Sequence, residues 1–251
     1  MGHATGATDV ILRTRQGGGM IANFAATSVP EFTLYGDGTV LYQVAVDPDA
    51  PAPVGPPRLA VARMNEEQMQ ALLQLAIGAG GLGDAKDLYV NPFVADAGDT
   101  TFEIATDEVT KTVTAQALFM ADDPDNPNAN SPDAPAMSAL KALYDSIVPF
   151  ADQVARGNAT DGGFYAAPAY RATLLESEAQ GEMLDWPWPD VTLDDFIADP
   201  NSGFRSAILT PDQALALSPT PEGGVYAVPV VGPDRVPYQV SLRPLLPDEI
   251  E

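Results

Sequence analysis

The chain has 251 residues, 45% of them hydrophobic, which is enough for a sizeable core and excludes wholesale disorder. Lys and Arg number 12 against 35 Asp and Glu, a formal net charge of −23 that repels phosphate backbones and anionic lipid heads, so nucleic acid and membrane-surface partners are disfavoured. With no cysteine and one histidine, His3, the chain is short of the thiolate and imidazole groups on which Ser-His-Asp and Cys-His nucleophiles, structural zinc and iron–sulfur clusters depend.

His3 sits in a leading MGHATGAT that reads as a frayed segment, which would leave its imidazole without a fixed position. No window reaches 18 consecutive apolar residues, and the start lacks a basic flank followed by an apolar stretch, so the chain as given reads as soluble. A signal segment or lipid-anchored cysteine would lie upstream of it. Phosphate-cradling motifs are missing too: the run Gly17, Gly18, Gly19 follows a strand-like segment, but no helical pattern follows the run.

Along the chain, residues 9–15 have strand propensity. Residues 30–43, PEFTLYGDGTVLYQ, read as a hairpin, with alternating apolar residues around Gly36-Asp37-Gly38 and the glycines supplying the positive φ of a tight turn. Residues 46–57 carry five prolines and read as a stiff connection before a strand at 58–63. Asn65 and Gln68 form a capping box for a helix that should bury Met69, Leu72, Leu73, Ala76 and Ile77 and end at Gly78, Gly80 and Gly81. Strands at 101–106 and 110–118 flank Asp107-Glu108 as a second hairpin. After the loop 122–135, Ser131-Pro132 should open a helix striped by Met137, Leu140, Tyr144, Ile147, Val148, Ala151 and Val154, which Pro149 divides or kinks. The run RGNATDGG at 156–163 is the best boundary. Beyond it come a strand at 169–176, the DWPWPD segment, short helices capped by Thr192 and Thr210, closing strands at 225–231 and 236–243, and an extended RPLLPDEIE ending.

Taken in order, the hairpin, the helix NEEQMQALLQLAIGAGGLG, DWPWPD and SLRPLLPDE resemble a family of uncharacterised bacterial secreted proteins and lipoproteins, mainly actinobacterial. The resemblance implies an extracellular or cell-surface location and no particular chemistry. Members of that family often carry C-terminal cysteines, whereas FRSAILTPDQ has none, so no disulfide is implied here.

Two constellations merit weighing as sites. Trp186 and Trp188, two apart between prolines, would face the same way in an extended chain and could stack on a sugar or peptide; packing at a core edge is the alternative. Asp122, Asp123 and Asp125, with Asn126, Asn128, Asn130 and Asp133, concentrate oxygen ligands of the kind calcium takes, although Pro127 breaks the spacing of a calcium-binding loop. Adjacent carboxylates at Asp107-Glu108, Asp122-Asp123 and Asp194-Asp195, and the near pair Glu176 and Glu178, arise readily in so acidic a chain and read as solvated surface, with Asp194-Asp195 as helix-start charge.

The sequence therefore predicts an α+β protein. Residues 1–157 would form an antiparallel sheet with two main covering helices, and 158–251 a smaller, mixed, β-rich lobe. The expected function is a non-enzymatic binding or structural element of the bacterial cell envelope, with no catalytic residue, no cofactor other than calcium, and a glycan or another envelope component as partner. A carboxylate-dependent, glycan-directed hydrolase working beside Trp186 and Trp188 is the alternative. Self-repulsion of the net charge predicts that salt raises the melting temperature; no rise between low and physiological ionic strength would show the charges too dispersed to matter.

Overall fold

The structure, a computed structural model, consists mostly of strands in two mixed sheets, with four α-helices among the described residues. It describes residues 1–18, 27–44, 59–123, 125–177, 183–200, 203–217, 220–222 and 225–250; the expected proline-rich connection at 46–57 lies outside them. The described residues divide into two compact units, one running to Tyr165 without residues 27–29, the other holding 27–29 and everything from Ala166 onward.

The first unit is built on an eight-stranded sheet. Its strands are β1 (Val10–Gly18), β2 (Phe32–Tyr35), β3 (Thr39–Gln43), β4 (Leu59–Arg63), β5 (Leu88–Tyr89), β6 (Gly98–Ala105), β7 (Thr110–Gln116) and β8 (Thr160–Phe164), in spatial order β5-β7-β6-β1-β2-β3-β4-β8. All pairings are antiparallel except β5 with β7, so the sheet is mixed rather than purely antiparallel. Phe32, Leu34, Val40, Tyr42, Phe102, Ile104 and Val113 bury one face of the sheet. They share a core with Met69, Leu73 and Ala76 of α1 (Glu66–Ile77) and with Leu140, Leu143 and Ile147 of α2 (Ala134–Ile147).

The predicted hairpin is present, with Phe32 opposite Tyr42 and Leu34 opposite Val40. Its two glycines do different work. Gly38 has φ of 81° and meets the need for a left-handed residue, whereas Gly36 is required by proximity, since a Cβ there would lie 2.3 Å from the Ala4 carbonyl oxygen. Asp37 closes the turn by accepting from the Thr39 N–H at 2.9 Å and pairing with Arg63.

The capping box of α1 also forms. Asn65 Oδ1 accepts from the Gln68 N–H and Gln68 Oε1 from the Asn65 N–H, both at 2.9 Å. Of its predicted buried face, Met69, Leu73 and Ala76 are buried, but Leu72 and Ile77 are only half-buried. Leu72 lines a groove of about 240 Å³ with Met64, Leu75, Ile147 and Phe150, which explains its exposure. Leu73→Ala is therefore expected to cost about 2–5 kcal/mol in chemical denaturation and Leu72→Ala clearly less; equal losses would show that the groove side is packed as tightly as the core.

Four expectations are corrected. The leading segment is not frayed: the Gly2 carbonyl accepts from the Asp107 N–H at 2.9 Å, the Met1 carbonyl from Gln70 at 2.7 Å, and the His3 ring lies 3.4 Å from Glu66 with its side chain 3% exposed. Residues 160–164 belong to the first unit, because β8 pairs with β4 and the Tyr165 N–H bonds the Leu59 carbonyl. The second helix starts at Ala134, three residues after Ser131, because the loop before it closes in successive turns up to Asp133. Pro149 does divide the helix, with α2 ending at Ile147 and α3 (Phe150–Ala155) following. The ending is not wholly extended, for Pro247–Glu249 makes a 3-10 turn.

The second unit carries a seven-stranded sheet. Its strands are β9 (Tyr170–Glu176), β10 (Leu184–Asp185), β11 (Ile197–Ala198), β12 (Arg205–Leu209), β13 (Thr220–Glu222), β14 (Val225–Val231) and β15 (Pro237–Pro244), in order β10-β14-β15-β9-β12-β11, with β13 also on β14. β10 runs parallel to β14 and the other pairs are antiparallel. The helix expected after Thr192 is a single 3-10 turn, Leu193–Asp195, while the capping box of Thr210 with Gln213 opens the short helix α4 (Pro211–Leu215) as predicted.

Candidate functional site

The tryptophans come together in the second unit, but not as a shared flat platform. Trp186 and Trp188 stand 5.0 Å apart at an interplanar angle of 87°, and both rings pack on Phe196, at 5.8 and 6.2 Å. Their indole N–H groups are spent on backbone carbonyls, Trp186 on Val191 and Trp188 on Gln213, each at 2.8 Å. Trp188 and Phe196 are buried and Trp186 is half-buried, so the arrangement has the geometry of a packed aromatic cluster.

The acidic loop also turns inward on itself. Asp123 Oδ1 accepts from the Asp125 N–H at 2.8 Å, Asn126 Oδ1 from the Asn128 N–H at 2.9 Å, and the Asn126 amide donates to the Met120 carbonyl. Backbone turns link Met120 to Asp123, Asp123 to Asn126 and Asn126 to Ala129. These are local Asx turns in which two of the oxygens a calcium ion would need are already engaged by backbone N–H groups. Among the described residues no group of three or more acidic or histidine side chains is placed to hold a metal, and Asp122, Asp123 and Asp125 do not form a cation cradle.

The carboxylate pairs are likewise used locally. Asp195 accepts from the Thr192 N–H and hydroxyl, and these bonds hold its carboxyl below the usual range. Asp107-Glu108 sits at the β6–β7 turn, where Thr106 Oγ1 accepts from the N–H groups of Glu108 and Val109. Glu178 lies outside the described residues.

A different cluster, in the first unit, has the makings of a site. On β1, Leu12, Thr14 and Gln16 alternate onto one face, and Gln16 is cross-strand partner to the buried Thr100 of β6. Helix α2 carries Lys141, Tyr144 and Asp145 at i, i+3 and i+4, one stripe of its surface. Gln16, Thr100, Lys141, Tyr144 and Asp145, with Gly98, Leu118 and Phe119, line a cavity of about 380 Å³, at the small end of the range of roughly 300–1,000 Å³ for ligand pockets. Gln16 Nε2 donates to Tyr144 Oη at 2.8 Å, Lys141 pairs with Asp145 at 2.5 Å, and Phe119 is 67% exposed.

Glu31 lies close enough for its charge to act on Tyr144. One carboxylate oxygen, Oε2, is fully buried without a hydrogen-bond partner. Burial pushes the carboxyl up to about 7, and the backbone N–H groups of Glu31 and Gln16 offset this only in part. Tyr144 is pushed up to about 12, first by burial and then by the charge of Glu31. Sequence reasoning placed Tyr144 in a plain apolar stripe and did not single out Glu31 or Gln16. The available signal was a carboxylate at position 31, directly before the strand Phe32, Thr33, Leu34, Tyr35, all four of which are buried.

Comparison of the chain with protein-family models, with curated proteins and with solved structures gives no match. Among the described residues no helix is long and apolar enough to cross a membrane.

Proposed function

We propose that this protein is a non-enzymatic binding element of the bacterial cell envelope, acting outside the cytoplasm, and that its first unit takes a small polyhydroxylated ligand such as a glycan fragment. The cavity of Gln16, Thr100, Lys141, Tyr144 and Asp145 carries the reading. It brings together an amide, two hydroxyls and an ion pair, groups that both donate and accept, with the exposed ring of Phe119 at hand for an apolar sugar face. In this reading α1 and α2 are the cover of the first sheet, and the stripe on α2 is where that cover meets the ligand. The Trp186–Trp188 cluster supports packing rather than ligand stacking, since both indole donors are spent.

Titration calorimetry against a panel of envelope-type oligosaccharides tests the proposal. Binding should be weakened about tenfold or more by Tyr144→Phe or Phe119→Ala and be indifferent to Trp186→Phe. Loss of binding with Trp186→Phe alone, in a folded protein, would move the site to the aromatic cluster.

Glu31 favours a second reading. A carboxyl that titrates near 7 is poised to act as a general acid, as a glycan-directed hydrolase requires. Such an enzyme also needs a second carboxylate across the sugar. The same panel should show binding without turnover; turnover abolished by Glu31→Gln in a folded protein would establish the hydrolase instead.

A further inference from the structure

In so acidic a chain a buried cation should rarely want for an acceptor, and the buried and half-buried cations among the described residues follow that rule with one exception. Among the described residues, each other cation that is buried or half-buried has one: Arg13 on Thr33 and Glu103, Lys111 on the Gly83 and Ala85 carbonyls, Lys141 on Asp145, Arg205 on the Leu193 and Phe196 carbonyls, and Arg243 on Glu249. Arg171, half-buried on the central strand β9, is the exception: no hydrogen bond or ion pair joins it to another described residue.

Its nearest charged neighbour makes this more costly. Arg171 is the direct cross-strand partner of Arg243 on β15, so the two side chains leave the sheet on the same face, and like charges directly opposite each other repel. Glu249 and Asp199 offset this only through space. The bonds of Glu249 go elsewhere: it holds Arg243 through two, at 2.6 and 2.7 Å, and its Oε2 also accepts from the Leu246 N–H at 3.0 Å. Arg243 itself is 7% exposed, and its Nε–H is buried with no acceptor. Two arginine side chains thus leave one face of the sheet from directly opposed positions with donors to spare, an arrangement suited to a planar or tetrahedral oxyanion. Burial and the charge of Arg243 hold the Arg171 guanidinium below its usual range, the strain a bound anion would relieve.

We infer that Arg171 and the Nε–H of Arg243 form a binding site for a single oxyanion, a carboxylate or a phosphate group, on the sheet of the second unit. The site is separate in residues and chemistry from the cavity beside Tyr144 and stands whether or not a glycan binds there. Arg171 supplies the accessible charge, and Arg243, clamped by Glu249, supplies a donor whose direction is fixed.

Arginine Nε–Hε resonances of the intact protein, followed by NMR at constant ionic strength, test the site. The probes are inorganic phosphate and N-acetylglycine, against chloride as the background anion. Saturable shifts confined to Arg171 and Arg243 are expected with at least one probe, and the tighter of the two identifies the group recognised. Arg171→Gln should weaken that binding about tenfold or more, while Arg171→Lys keeps part of it. No saturable shift with either probe would overturn the site, as would equal binding by folded Arg171→Gln. Should that variant fail to fold, the wild-type spectrum still decides, because shifts shared equally with the exposed Arg156 and Arg235 would mean non-specific screening and sink the proposal.

Discussion

Glu31→Gln is expected to stabilise the first unit at pH 8 by about 3 kcal/mol and to leave it nearly unchanged at pH 4. The sign follows from proton uptake. Unfolded, Glu31 titrates at the ordinary glutamate value of 4.5; folded, burial raises it to about 7. Between those values the native state holds a proton that the unfolded state has released, so stability falls as pH rises from about 4.5 through 7 and the whole cost is present above that. Glutamine has the shape of the protonated acid and no charge to bury, so the variant should lack this slope. Denaturation followed by calorimetry or far-ultraviolet circular dichroism across that range measures it. A variant whose pH slope matches wild type would show that the buried oxygen is reached by water and the carboxyl titrates normally.

The second large effect lies in the RPLLPDE ending. Arg243 and Glu249, its first and last residues, close on each other through a bidentate pair with side chains 8% and 23% exposed. Burial alone would raise the Glu249 carboxyl, but the hydrogen bonds and charge of Arg243 outweigh it and hold the group below the usual range. Glu249→Gln should cost the second unit about 3 kcal/mol, because it leaves a buried guanidinium without its counter-charge. A depressed folded value also means that the stabilisation is present above the unfolded value near 4.5 and is lost as pH falls through the lower, folded one. The two units therefore respond oppositely to acid in these two groups. Both tryptophans of the chain lie in the second unit, so their fluorescence reads this loss separately from Glu31. Unchanged tryptophan unfolding in Glu249→Gln would mean that the pair contributes nothing net.

The difference between these two groups marks how far the sequence reaches. Where a signal is local, it was legible. The hairpin follows from alternation around a turn that needs a left-handed residue at Gly38, α1 from reciprocal bonds between residues three apart, and the break at Pro149 from a missing N–H and a ring clash. Composition alone left the chain without a thiol. What the tertiary structure decided depends on which distant segments meet. β8 is a polar, exposed TDGGF with no alternation to betray it, and only pairing with β4 makes it a strand. The leading segment carries no helical or strand pattern and is fixed by bonds to Gln70 and Asp107. The meaning of RPLLPDE was hidden because its prolines suggest extension, whereas the fold brings Glu249 back onto Arg243. Gln16 and Tyr144, 128 residues apart, meet beside a carboxyl whose pKa is set by burial. Desolvation depends on everything packed around a group, and no spacing in the sequence encodes it.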